Sequence, residues 1–189
     1  MSKLTQKALS ESLKKLMQTI PLSKITVNDV VKECGLNRRT LYYYFHDIYD
    51  LLEWTFKTEI LNVLGKNRTY ETWQKGFLKI LYYLRENKKI VLNAYNSIDR
   101  DHLENHLDES VYKLIFGVIN ELSKDMNITE KDKKYVAKFY KIALTNTIID
   151  WVKEHMEEDP KEIVDNLTKI LDGDLYRALL KYEKEKPNK

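Results

Sequence analysis

Between Thr26 and Phe45 the sequence TVNDVVKECGLNRRTLYYYF leaves the backbone few choices. Thr26 reads as a helix N-cap, with a hydroxyl for a free first-turn N–H and Asp29 three residues on. Val27, Val30, Val31 and Cys34 then share one face of a helix running to about Cys34. Gly35 stops it, because only glycine enters the left-handed region cheaply. Leu36 fills the corner and Asn37 caps a second helix. Two short helices around a glycine-containing turn form the helix-turn-helix plan.

The second helix carries the chemistry. At 100° per residue, Leu41, Tyr44, Phe45 and Ile48 fall on one face; Arg39, Tyr42, Tyr43 and His46 fall on the other, with Arg38 between. Two arginines in a first turn oppose the positive end of the helix dipole, at a cost of some tenths of a kcal/mol. An anion placed there reverses that sign. Arginine pairs bidentately with guanine or phosphate, and tyrosine hydroxyls bind phosphate. A solvated amphipathic helix with packed tyrosines is the plainer alternative at any single position. Across the stretch, cap, turn, second cap and basic first turn all agree on DNA.

At these residues the chain resembles the TetR family of bacterial transcriptional regulators. The resemblance lies in Ile25-Thr26-Val27, in Cys34-Gly35-Leu36, in Thr40-Leu41-Tyr42 with Tyr44-Phe45, and in Asp50-Leu51-Leu52. It implies an all-α chain with a three-helix DNA-binding head at 1–47 and a helical regulatory and dimerisation body at 48–183. Within the body, 48–64 would be the connecting helix; the Lys/Glu-rich composition of 184–189 separately leads us to expect a disordered tail. The resemblance further implies a homodimer on a near-palindromic site in double-stranded DNA, with output set by a small-molecule effector or a partner protein. Arg38 and Arg39 would read or flank base edges, assisted by Thr40 and Tyr42. Thr26, Asn28, Asn37, Tyr43 and Tyr44 would hold phosphates. The family commonly has a basic residue where this chain has Ile48, so His46 is the candidate substitute. A narrower resemblance, to the branch of dihydroxyacetone-kinase regulators, rests on Trp73-Gln74, the segment from Leu84 to Asn87, and Ile48. That branch includes activators that work through a partner protein.

Composition supports this picture. The net charge of +3 is unevenly placed: residues 1–50 hold eight Lys/Arg and five Asp/Glu, and the remainder holds 24 of each. The excess positive charge therefore lies with the motif, as nucleic-acid affinity requires. Five Gly, three Pro and 43% hydrophobic residues point to a helical protein with a real core. No apolar run is long enough for a membrane span, and the N-terminus lacks a signal-like apolar region. The single cysteine, Cys34, excludes an internal disulfide and fits a reducing cytoplasm.

Periodicity places the other helices. The first spans 4–20 with a stripe of Leu9, Leu13, Leu16, Met17 and Ile20, capped by Thr5 and ended by Pro21; Lys14, Lys15 and Lys24 would lie at its rim near phosphates or solvent. Asp47 caps the connecting helix. Further helices are expected near 70–86, 88–95, 103–122 and 130–156. Another follows the cap Asp159-Pro160, and a short one resumes after Asp172-Gly173-Asp174. Tyr135, Phe139, Ile142, Asn146 and Ile149 form a near-heptad stripe. Asn146 there would fix register, meet a ligand or bond nearby backbone.

Catalytic signatures are missing: there is no P-loop, GxSxG or GxGxxG. His102 and His106 have a metal-compatible i, i+4 spacing but no cysteine or HExxH context, so solvated histidines are the plainer reading. The expectation is a regulator without enzymatic activity, cofactor or metal. A helical protein-interaction module that no longer meets DNA is the alternative of another class.

Overall fold

The computed structural model describes residues 2–67, 69–97 and 101–183. For Ser2, Asp101, His102, Leu103 and His106 it describes the backbone only, so the His102/His106 pairing lies outside the described side chains. The described residues form α-helices and one 3-10 turn. The order is α1 (Ser2–Met17), the 3-10 turn (Leu22–Lys24), α2 (Val27–Glu33), α3 (Arg38–Tyr44), α4 (Ile48–Leu64) and α5 (Trp73–Glu86). It continues with α6 (Lys88–Tyr95), α7 (Asp101–Leu122), α8 (Glu130–Lys153), α9 (Pro160–Leu171) and α10 (Asp174–Leu180). No helix among them is long and apolar enough to cross a membrane.

The chain divides into two compact units. The first runs to Glu59 and regains the segment from Glu86 to His106; the second takes Ile60–Arg85 and everything from Leu107 on. In the first unit Leu9, Leu13 and Met17 of α1 are buried with Val30, Val31, Leu41, Phe45, Leu51 and Phe56. Leu16 and Ile20 of the expected stripe are only half-buried, and Ile20 lies beyond the end of α1 at Met17. Thr5 lies inside α1 rather than capping it. A buried polar pair ties α1 to α4: Thr55 Oγ1 donates to the Leu51 carbonyl at 2.7 Å and lies at hydrogen-bonding distance, 3.0 Å, from the Ser10 hydroxyl. Lys14 Nζ reaches Glu59 at 2.9 Å, and Lys15 pairs with Glu33. These two lysines thus brace the helices, whereas Lys24 is exposed.

Asn93 on α6 closes the end of α1. Its Nδ2 donates to the Met17 carbonyl at 2.9 Å and the Ile20 carbonyl at 2.7 Å, and its Oδ1 accepts from Leu22 N–H at 2.8 Å. Two acceptors and one donor around the amide leave only one orientation for its oxygen and nitrogen.

In the second unit α5 buries Trp73, Phe77, Ile80, Leu81 and Leu84. Gly76 permits the close approach of the preceding loop: a Cβ there would meet the Asn67 carbonyl oxygen at 2.3 Å and Leu64 Cδ1 at 2.9 Å. Gly→Ala inside a helix ordinarily stabilises by about 1 kcal/mol. At Gly76 we expect the opposite sign, a loss of about 1–3 kcal/mol from overpacking. Gly76→Ala should lower Tm by roughly 2–4 °C for each kcal/mol lost. A variant that melts at or above the native temperature would contradict this.

Helix α8 carries two apolar faces. Its core face is Val136, Ala137, Leu144, Ile148, Trp151 and Val152, all buried. The near-heptad stripe lies mostly on the opposite side: Tyr135 is 65% exposed, Phe139 67% and Ile142 48%, while Ile149 alone of the apolar members is buried. Both faces are therefore apolar, so the sequence period could not say which one faces the chain's own core. Asn146 is exposed and donates to the Ile142 carbonyl at 3.0 Å, a local backbone bond. Helix α8 stops at Lys153, and left-handed His155 and Met156 turn the chain toward Asp159, which caps α9 ahead of Pro160.

Candidate nucleic-acid interface

Local chemistry fixes the two motif helices before any packing. At α2 a capping box forms: Thr26 N–H donates to Asp29 Oδ2 at 2.9 Å, and Asp29 N–H donates to Thr26 Oγ1 at 3.3 Å. The Thr26 hydroxyl also donates to Asp29 Oδ2 at 2.7 Å. These bonds hold the Asp29 carboxyl below the usual carboxylate range, side-chain bond first. Their contribution is present above that range and is lost as pH falls through the lowered value. At the far end, Leu36 N–H reaches the Val31 carbonyl at 2.8 Å and Gly35 N–H the Lys32 carbonyl at 3.3 Å. With Gly35 at φ +69° this is a Schellman closure. Cys34 is its half-buried C-cap, with Sγ 3.4 Å from the Val30 carbonyl oxygen.

Asn37 starts α3. Its Oδ1 accepts from Thr40 N–H at 2.9 Å and from Thr40 Oγ1 at 3.1 Å, a cap whose removal typically costs about 1 kcal/mol. Leu41 is fully buried and anchors the helix. Phe45, 3% exposed, leaves the helix in extended backbone and sets its ring edge-on against Trp54, 5.8 Å between centroids. The remaining faces of α3 are free to meet something else.

Arg38, Arg39, Tyr42 and Tyr43 are exposed, the two tyrosines by 51% and 79%. Arg38 lies over the Tyr42 ring at 5.8 Å from its centroid, and its Nη2 is 3.4 Å from the Tyr42 hydroxyl. Aromatic and guanidinium thus order each other in one exposed patch. Tyr43 meets Tyr44 edge-on at 4.8 Å, and Tyr44 is half-buried. Thr40 is half-buried beside them, and Thr26 and Asn28 are exposed at the start of α2.

His46 is exposed between α3 and α4, its N–H donating to Asp50 Oδ2 at 2.9 Å. Asp47 Oδ1 accepts from Tyr49 and Asp50 N–H, as a cap should. Ile48 is buried at 8% exposure, so that position presents no donor for a phosphate. Asn93 is the element that sequence reasoning passed over. Within Lys88–Tyr95 it reads as an ordinary polar helix residue, and nothing local marks a partner 71 residues away.

Comparison with known proteins agrees with this geometry. The family profile "Bacterial regulatory proteins, tetR family" matches residues 11–54, and "Transcriptional regulator C-terminal region" matches 71–173. The chain is 30% identical over 148 residues to the HTH-type dhaKLM operon transcriptional activator DhaS of Lactococcus lactis subsp. lactis (strain IL1403), covering 75% of each. Among solved structures it is similar to a dihydroxyacetone kinase operon activator DhaS, with TM-score 0.70 and 22% identity over 95% of this chain and 98% of that one. It is also similar to a TetR transcriptional regulator from Rhodococcus sp. RHA1, with TM-score 0.63 and 11% identity over 94% and 98%. At those identities the structural likeness speaks for the fold alone. The capped helix-turn-helix, its exposed arginines and the two profile matches have one common explanation: the chain belongs to the TetR family of DNA-binding transcriptional regulators, which are not enzymes.

Proposed function

We propose that the chain acts as a homodimeric activator that recognises a near-palindromic site in duplex DNA through α3. The observation that carries this reading is the free face of α3, where Arg38 and Arg39 stand exposed beside Tyr42 and Tyr43 on a helix anchored by buried Leu41. In a major groove, Arg38 and Arg39 meet base edges or the phosphates flanking them. Thr40 and Tyr42 line the contact, and Thr26, Asn28, Asn37, Tyr43, Tyr44 and His46 hold backbone phosphates. The functional division is a head at 1–47 and a body at 48–183.

One head of this size reads only a few base pairs, so a two-fold pair on a two-fold site suits the task. The exposed stripe of Tyr135, Phe139 and Ile142, with Ile170 64% exposed on α9, is the face that a second copy would cover. Activation is the sign of regulation carried by the name of the Lactococcus relative.

Output is set by a small-molecule effector or by a partner protein, and a ligand-dependent rise in melting temperature would mark the first. The test is selection of duplexes from a random pool at two salt concentrations. An enriched inverted repeat whose affinity falls steeply with salt is the expected result. Enrichment of a lone half-site speaks against the dimer, and no enrichment at low salt against the placement of the interface on α3.

A further inference from the structure

We infer that Asn93 is a positioning residue for the DNA-binding head: from α6 it fixes where α1 ends and where the connector to α2 begins. All three of its bonds fall within residues 17–22, on the carbonyls of Met17 and Ile20 and the N–H of Leu22. The Met17 carbonyl ends α1 and the Ile20 carbonyl lies in the turn beyond it, and both are capped from another helix. The 3-10 turn that follows delivers the chain to Thr26 and the capping box of α2. A displacement of α6 therefore reaches the connector through this amide as well as through the packing of α6 on α1.

The segment from Glu86 to His106 leaves the second unit after Arg85 and re-enters it at Leu107. Helix α6 sits on this excursion and follows α5 after the single residue Asn87. Beside the clamp lies an open groove of about 490 Å³, lined by the connector and by Lys89, Leu92, Asn93 and Asn96. The groove keeps the clamp within reach of water. In Asn93→Ala, water can therefore replace the lost bonds, and that variant underreports the role. Asn93→Asp is the sharper probe, because a carboxylate can accept from Leu22 N–H but repels both carbonyls. Asn93→Leu removes all three bonds and fills the space.

The experiment compares the full-length native chain with Asn93→Asp, Asn93→Leu and Asn93→Gln by hydrogen exchange, melting temperature and duplex selection. Exchange at residues 18–25 should accelerate at least tenfold in Asn93→Asp and Asn93→Leu, with α8 and α9 unchanged. Both variants should select the same half-site as the native chain, accept a wider range of half-site spacings, and bind the native site about tenfold more weakly. The spacing readout rests on the dimeric reading above. Exchange and single-site affinity do not, so a native chain that selects lone half-sites would sink the dimer and leave the clamp to be judged on exchange. Unchanged exchange at 18–25 would overturn the proposal. So would weaker binding that merely tracks a lower melting temperature with the native spacing preference intact. Partial recovery of slow exchange in Asn93→Gln would support it.

Discussion

Replacing Arg38 and Arg39 together by alanine is expected to weaken operator binding by between roughly 30-fold and 20,000-fold. Each arginine bonded to a base edge or phosphate carries about 1–3 kcal/mol, and 1.4 kcal/mol is a factor of ten. The lower figure applies if both serve as phosphate clamps, the upper if both read guanine. The two cases separate in the salt dependence. Loss of two phosphate contacts lowers the salt slope by about two and weakens all sequences alike, whereas loss of base contacts relaxes sequence preference at defined positions. Arg38 also orders Tyr42, from 5.8 Å over its ring, so part of its effect passes through a loosened tyrosine. Neither arginine is buried, and the melting temperature should stay within a degree or two of native. A folded double variant that binds its operator within threefold of native would remove α3 as the reading helix.

The second large effect is expected from Phe139→Glu with Ile142→Glu. The two side chains are 67% and 48% exposed, so acidic replacements disturb little within one chain. Across a two-fold interface they bring like charges together in an apolar seam, where charge is costly. The expected product is a folded monomer by sedimentation, with unchanged helical content. Its operator affinity should fall by about 10²–10⁴, because the two heads no longer share one effective concentration. Binding to an isolated half-site should be untouched. If the variant still sediments as a dimer, the stripe on α8 is not the interface.

Legibility from sequence followed how local each interaction is. The capping box at Thr26, the Gly35 closure, the Asn37 cap and the Asp47 cap are written within four residues of themselves, and each forms where its residues indicate. The exposed arginine and tyrosine face of α3 was equally readable, since one buried anchor, Leu41, fixes the rotation of so short a helix. Helix α8 was not readable in the same way. Its apolar residues cover two faces, and periodicity cannot distinguish a face turned to the chain's own core from one kept for another molecule. The clamp at Asn93 was beyond sequence reasoning for a different reason. Its partners are backbone atoms, which leave no residue-type signal at Met17, Ile20 or Leu22.

That clamp also sets the order in which the molecule can be completed. The carbonyl of Met17 waits for a residue 76 positions downstream, and Lys14 waits for Glu59. A ribosome that has delivered the helix-turn-helix has therefore not yet delivered what finishes it. A fragment ending at Asp47 contains every residue proposed to touch DNA, yet lacks two of the contacts that hold α1 in register. The DNA-reading surface is local in sequence, but its rigidity is borrowed from chain made later.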